Sequence, residues 1–202
     1  MESSLDQVKA ARAKGLTQKV YFEDFDAVLQ RCLADETNQR GLDKAVELVL
    51  QTKVNKTKVI LIGNGGSAAI AEHMAIDLTK NAGLRATTLS GSPQITTFAN
   101  DYGFEKVYSK AMEAYADPGD VLIAISSGGT SVNILNAADT ARKIGCDVIT
   151  FSAFAPGNPL RQKGDINIYV QSNAYGYVEI IHNLLIHYIN DKIIGKAVYK
   201  FR

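Results

Sequence analysis

The chain has 202 residues, 46% of them hydrophobic and 21% charged, a composition typical of a globular protein rather than of a disordered chain or a coiled coil. Its 22 lysines and arginines nearly balance its 21 aspartates and glutamates, so the net charge of +1 gives no support for binding to nucleic acid. The apolar runs are too short to cross a membrane, and residues 1–15 lack the apolar core of a secretory signal. The two cysteines lack CxxC spacing and fit a reducing compartment. From these observations together we expect a cytoplasmic protein that binds neither nucleic acid nor membranes.

Residues 1–55 show the spacing of amphipathic helices. A weak apolar stripe lies within residues 5–11, a stronger one within 22–33 and a third within 42–50. No Pro-rich or Gly-rich linker separates this region from the rest of the chain. We therefore predict N-terminal helices that pack on the domain formed by residues 56–202, or on a partner chain.

From residue 56 onward, short apolar runs alternate with helical stretches. The predicted strands are residues 58–63, 86–90, 120–126, 146–152 and 165–170. The predicted helices are residues 67–80, 104–114, 131–144 and 177–193. Such alternation implies parallel strands joined by right-handed crossovers. The predicted fold class is α/β, a doubly wound five-stranded parallel sheet flanked by helices, with the additional N-terminal helices.

Two Gly-rich turns follow predicted buried strands and lead into helices: residues 63–67 (GNGGS) and 126–131 (SSGGTS). Ligands of doubly wound sheets bind beyond the carboxyl ends of the strands, where helix starts and uncharged hydroxyls suit a phosphate. The first turn lacks the Gly-Lys-Ser/Thr ending of a P-loop and the acidic residue that would hold a ribose. We therefore predict a phosphorylated sugar as ligand and no nucleotide cofactor. A tight strand-to-helix turn is the alternative for the first turn taken alone.

Two predicted helices carry histidines together with carboxylates. His73 and Asp77 are four residues apart and share one helix face, and Glu179 and His187 are eight apart on the last helix. These four residues suit a divalent metal ion, with Zn²⁺ favoured by the mix of nitrogen and oxygen atoms. They suit equally the acid and base of an aldose–ketose isomerisation. Surface pairing is the alternative for each pair alone, and His182 is expected to be structural.

Over residues 35–195 the chain resembles the sugar isomerase (SIS) domain family, and within it the phosphoheptose isomerase branch. The resemblance rests on GNGGSAAIAEHMAIDLT (63–79), FANDYGF (98–104), GDVLIAISSGGTSVNIL (119–135) and EIIHNLLIH (179–187). It implies an enzyme that converts sedoheptulose 7-phosphate to a heptose 7-phosphate. It also implies one zinc ion per site, and a homotetramer in which neighbouring subunits complete the pocket.

The resemblance implies roles for individual residues as well. The implied substrate and phosphate contacts are Asn64, Gly65, Gly66, Ser67, Asn100, Asp101, Ser126, Ser127, Gly128, Ser131 and Glu179. The implied metal and acid–base positions are His73, Asp77, Glu179 and His187. Asp77 is then the candidate base and His187 the candidate acid, or both are metal ligands.

The chain departs from the family pattern at several of these positions. The family has Glu where this chain has Asp77, which retracts the carboxylate by one methylene, and Gln where it has Glu179, which adds a negative charge. This chain has Gly128 where the family has Ser, and Asn81 where the family has a basic residue. Gly176 and Tyr177 stand where the family has Asp and Arg. We therefore expect a phosphosugar isomerase acting on the heptulose or on a related sugar phosphate. The alternatives are a different sugar-phosphate isomerase or epimerase, and a non-catalytic phosphosugar-binding protein resembling the replication-initiator-associating protein of the same fold.

Overall fold

The computed structural model describes residues 16–197 and shows a five-stranded sheet between two layers of helices. In chain order the described elements are α1 (Gln18–Ala34), α2 (Glu36–Asn55), β1 (Val59–Gly63), α3 (Gly66–Lys80), β2 (Ala86–Thr88), α4 (Ser92–Tyr102), a 3₁₀ turn (Phe104–Lys106), α5 (Val107–Tyr115), β3 (Val121–Ser126), α6 (Val132–Ile144), β4 (Asp147–Ala153), a 3₁₀ turn (Leu160–Gln162), β5 (Ile166–Val170) and α7 (Tyr175–Ile194). The weak stripe at residues 5–11 lies outside the described part. No helix within residues 16–197 is long and apolar enough to span a membrane.

All neighbouring strands of the sheet are parallel, in the order β2-β1-β3-β4-β5. The predicted α/β class and the five strands are therefore confirmed. The order reverses between β1 and β3, which pair from Val59 with Val121 to Gly63 with Ile125. A reversal of this kind is where doubly wound sheets bind their ligands.

Side chains of each strand alternate between the two faces of the sheet, and helices cover both faces. Leu61 and Ile123 point into a core formed with α1, α2, α3 and α7. Ile60 and Leu122 point into the opposite core, formed with α5 and α6. The helix after β1 thus lies on one face and the helix after β3 on the other. Helices α1 and α2 bury side chains against the sheet, while a domain boundary at residues 55 and 56 stays a prediction.

Helix α4 is an addition to the elements that the sequence pattern predicts. Its apolar stripe is short and only partly buried, with Ile95 and Phe98 packed against the core, and Pro93 suits the first turn of a helix. The predicted helix at 104–114 also begins differently, with the 3₁₀ turn Phe104–Lys106 before α5.

The outer strand β5 is closed by a side chain of α2. The Asn38 amide nitrogen donates to the carbonyl oxygen of Tyr169 at 2.8 Å, and the amide N–H of Tyr169 donates to Asn38 Oδ1 at 3.0 Å. Asn38 also donates to the carbonyl oxygen of Cys32 at the end of α1. One buried side chain therefore pairs the outward backbone groups at Tyr169 and joins α1 and α2 to the sheet.

Replacing Asn38 with Ala is expected to lower the free energy of unfolding by about 2 kcal/mol or more, because it leaves two buried backbone groups of Tyr169 unpaired. Urea denaturation measures this change. Arg40→Ala is the control on the same helix, since it removes only an exposed ion pair with Glu36 worth about 0.5 kcal/mol. Equal effects of the two substitutions would contradict a role for Asn38 in closing β5.

Candidate active site

The turns after β1 and β3 are joined by a pair of asparagines. The Asn64 amide donates to Asn133 Oδ1 at 3.0 Å, and the Asn133 amide donates to Asn64 Oδ1 at 2.9 Å. Asn133 is buried in the first turn of α6. This reciprocal pair spans the point where the two chain segments leave for opposite faces of the sheet.

A cleft of about 200 Å³, here called the serine cleft, opens beside this pair. Its lining residues are Asn64, Ser67, Ile125, Ser126, Ser127, Gly128, Thr130, Ser131, Tyr175 and Glu179. The starts of α3, α6 and α7 all contribute to it, and none of the three has a side-chain cap. The Ser67 N–H of α3 already donates to the carbonyl oxygen of Asn64, and the Ile134 N–H of α6 to Ser131 and Asn133. The outermost N–H groups of these helices are therefore the ones available for an anion.

The serine cleft offers mainly neutral donors. Ser127 is buried, and its hydroxyl has no hydrogen-bond partner within the described residues. Ser126 Oγ lies 3.4 Å from Ser131 Oγ and accepts from the Gly129 N–H at 3.3 Å. Glu179 is the only charged residue among those that line the cleft. N–H and hydroxyl groups of this kind are able to bind a phosphate without lysine or arginine.

The shape of the 126–131 turn depends on Gly129. Its φ is +64°, and an added Cβ would overlap the side chain of Asn158. Buried Asn158 is fixed by donating to the carbonyl oxygens of Ala153 and Ala155. The turn itself is anchored by the Ala153 N–H, which donates to the Ser127 carbonyl oxygen at 2.8 Å, and by the Leu160 N–H, which donates to that of Gly129 at 3.0 Å. At Gly128, in contrast, an added Cβ would make only ordinary contacts of 3.7 Å or more. The departure from serine at position 128 is therefore not required by packing.

Three of the four predicted metal and acid–base residues lie together between α3 and α7. Asp77 Oδ2 is 3.6 Å from His73 Nε2 and 3.8 Å from His187 Nδ1. One ligand atom from each residue lies within 4.8 Å of the other two, and Asn81 donates to Asp77 Oδ1 at 3.1 Å. We call these three residues the histidine cluster. Two imidazoles and a carboxylate are ligands that Zn²⁺ takes in catalytic sites.

Glu179, the fourth predicted residue, is not part of the histidine cluster. It lines the serine cleft and also an adjoining cavity of about 290 Å³, which reaches His73 and Ile180. Its carboxylate lies against Gly66, where an added Cβ would be 2.5 Å from both carboxylate oxygens. Gly66 thus leaves the space that Glu179 occupies.

The predicted Asn100 and Asp101 lie apart from both cavities. They are exposed on α4, and the Asn100 amide donates to Asp101 Oδ1 at 2.8 Å. Gly65, with φ of +53°, precedes α3 and has open space around it. Of the other predicted contacts, Gly66 lines the adjoining cavity. The serine cleft is lined by Asn64, Ser67, Ser126, Ser127, Gly128 and Ser131.

The structure adds Tyr175, Thr130 and Asn133 to the predicted set. Tyr175 lines the serine cleft from the start of α7 and packs its ring on Phe154, with 4.7 Å between centroids. No spacing in the sequence singles it out. Thr130 and Asn133 lie within the quoted motifs, but only the geometry shows that Asn133 bonds Asn64.

His182 is structural, as expected. It is fully buried beside Phe151, and its Nε2 lies 3.3 Å from the carbonyl oxygen of Ser152. Burial lowers its pKa from 6.5 to about 4, because the interior disfavours the charged form. The folded protein therefore keeps His182 neutral where the unfolded chain would protonate it.

This lowered pKa predicts a pH-dependent stability. The contribution of His182 is complete above pH 6.5 and is lost as the pH falls towards 4, with a slope of up to about 1.4 kcal/mol per pH unit. Denaturation curves of the native protein and of His182→Leu across this range measure the difference in slope. Parallel stability profiles for the two proteins would contradict the prediction.

Comparison with known proteins identifies the family of this chain and several relatives. The family model of the SIS domain matches residues 20–153. A phosphoheptose isomerase of Aliarcobacter butzleri is 38% identical over 160 residues, covering 76% of this chain and 84% of the relative. One of Helicobacter hepaticus is 37% identical over 182 residues, covering 87% and 92%. The solved phosphoheptose isomerase of Neisseria gonorrhoeae matches with a TM-score of 0.80 and 30% identity, covering 94% of this chain and 99% of that one.

Proposed function

This chain belongs to the SIS domain family, and we propose that it is a phosphosugar isomerase that interconverts sedoheptulose 7-phosphate and a heptose 7-phosphate. The observation that carries the proposal is the placement of two unlike sites side by side. The neutral serine cleft adjoins, through Glu179, the cavity that reaches His73. An enzyme that isomerises a sugar phosphate needs both kinds of site: one that binds the phosphate, and one whose acid–base groups face the carbonyl end of the sugar.

The phosphate would bind at the 126–131 turn. The unpartnered hydroxyl of Ser127 and the uncapped starts of α3 and α6 supply its donors. Asn64, held by Asn133 at the rim, is placed to contact the sugar. The relatives named phosphoheptose isomerase, which match over most of both chains, support a heptose phosphate as the substrate.

His73, Asp77 and His187 would hold one zinc ion, because their nitrogen and oxygen atoms converge and match its ligand preference. The ion would polarise the substrate carbonyl and stabilise negative charge on its oxygen. Asn81 fixes the Asp77 carboxylate through a hydrogen bond. Glu179 as a further metal ligand stays a prediction.

Both cysteines are free, which supports a reducing compartment such as the cytoplasm.

Replacing Asp77 with Ala is expected to remove zinc and to lower turnover of sedoheptulose 7-phosphate about 100-fold or more, because the ion that would stabilise negative charge on the carbonyl oxygen is lost. NMR follows aldose formation, and elemental analysis counts the metal, with about one zinc per native chain expected. Asp43→Ala is the control, because it removes an exposed carboxylate from α2.

Two outcomes contradict the proposed function. A native protein that contains zinc and binds the sugar phosphate without turnover would exclude heptose isomerisation and lead to a screen of pentose and hexose phosphates. A native protein that binds the sugar phosphate but lacks zinc and turnover would favour the non-catalytic, sensor-like alternative.

We further propose that the chain assembles as a homotetramer through the helices that carry the histidine cluster. Beside it, α3 exposes Ile76 and α7 exposes Ile180, Leu184 and Tyr188, the last three at four-residue spacing. This spacing forms one apolar stripe along α7 next to His187. A second copy of the chain would cover the stripe and enclose the cavity beside His73.

Leu184→Glu is therefore expected to break the assembly, because it places a charge in the covered stripe. Light scattering coupled to size-exclusion chromatography would give about four chain masses for the native protein and a smaller mass for the variant. Leu50→Glu on α2 is a matched control, since Leu50 is 43% exposed and Leu184 is 44% exposed. A native protein with the mass of one chain would exclude the tetramer.

A further inference from the structure

Glu179 occupies the boundary between the two cavities of the site. It is the only carboxylate among the residues that line the serine cleft, and it also lines the adjoining cavity together with His73. A sugar bound with its phosphate at the 126–131 turn and its other end at the histidine cluster would pass this carboxylate. Asp77 is among the lining residues of neither cavity.

The two carboxylates also differ in their partners. Asp77 accepts a hydrogen bond from Asn81 through one oxygen and faces His73 and His187 with the other. Within residues 16–197, Glu179 makes no hydrogen bond or ion pair. A base needs an oxygen lone pair free for the proton it removes. Both oxygens of Glu179 are free in this sense, whereas one oxygen of Asp77 is bonded to Asn81 and the other faces the two histidines.

The position of the Glu179 carboxylate is nevertheless restricted. It lies against the first turn of α3, in the space that a side chain at position 66 would fill. Residues 178 and 181 on either side of it are buried in the core, which sets the rotation of α7. The carboxylate is thus placed by backbone contact rather than by a hydrogen-bond partner.

We propose that Glu179, rather than Asp77, is the general base that carries the proton between C1 and C2 of the sugar phosphate. This inference rests on the proposed function. Asp77 then acts within the histidine cluster, as a zinc ligand beside His73 and His187. The roles that the family resemblance implies for these two positions are redistributed in this chain.

The proton transfer balances without any further reactant. Glu179 removes a proton from C1 of the ketose, the C1–H electrons form the C1–C2 double bond, and the C2 carbonyl oxygen takes up a proton to give an enediol. The hydroxyl at C1 then loses its proton and becomes the aldehyde carbonyl, while C2 receives the proton from Glu179. The proton released by one hydroxyl matches the one taken up by the other, so Glu179 returns to its starting form.

The test compares the native protein with Glu179→Gln, Glu179→Asp and Glu47→Gln, the last a control on an exposed carboxylate of α2. The glutamine variant keeps size and shape and loses the base. Three quantities are measured: kcat and KM with sedoheptulose 7-phosphate, incorporation of deuterium at C1 of the ketose in D₂O, and zinc content.

We expect Glu179→Gln to lower kcat and the exchange rate by about 100-fold to 10,000-fold, with KM and zinc content unchanged. Glu179→Asp is expected to recover part of both rates, and Glu47→Gln to match the native protein. A glutamine variant with native exchange would overturn the assignment of the base. Loss of zinc in that variant would overturn it too, since it would make Glu179 a metal ligand.

Failure of the proposed function gives a different result. A native protein that neither isomerises nor exchanges C1 protons overturns the heptose isomerase and the base together. A native protein that exchanges, with a glutamine variant that exchanges equally well, leaves the isomerase standing and removes only Glu179.

Discussion

The site depends on one constraint of the sheet: β1 and β3 are neighbours, but the chain leaves them for opposite faces. Helix α3 follows β1 to one core, and α6 follows β3 to the other. A crevice therefore opens at the carboxyl ends of these strands. The Asn64–Asn133 pair bridges it with two hydrogen bonds between uncharged groups, so the two turns keep a fixed separation without a charge that would compete for a phosphate.

Apart from Glu179, which lines the serine cleft, the charged groups of the site lie away from the 126–131 turn. The 126–131 turn contributes hydroxyls and N–H groups, whereas the titratable residues of the histidine cluster lie between α3 and α7. A phosphate close to Asp77 would meet like charge, and this repulsion is weaker when the two are separated by the length of a sugar. Helix α3 spans the separation, since its start faces the serine cleft and its third and fourth turns carry His73 and Asp77.

The sequence predicts the sheet and the turns well because each rests on a local signal. Buried parallel strands are continuous aliphatic runs, and the glycines and serines after them mark the turns. The spacing of His73 and Asp77 likewise places them on one face. Spacing does not place Glu179 in the same way. The number of residues between Glu179 and His187 on α7 does not reveal that Glu179 lies against Gly66, because that contact joins two helices far apart in sequence. Helix α4 escaped prediction because its apolar stripe is short, with Ile95 and Phe98 only partly buried. Asn100 and Asp101, which the resemblance alone singled out, lie on it away from the described cavities.

The closure of β5 by Asn38 also restricts how copies of this chain meet. A strand from a second molecule that approached β5 would find the N–H and carbonyl groups of Tyr169 already bonded. At the other border of the sheet, β2 has only three residues and offers a short ladder. Continuous sheets running from one molecule to the next are thus disfavoured at both borders. Association is directed to the helical layers, where its extent is limited by the matching of side chains rather than by repetition of the backbone.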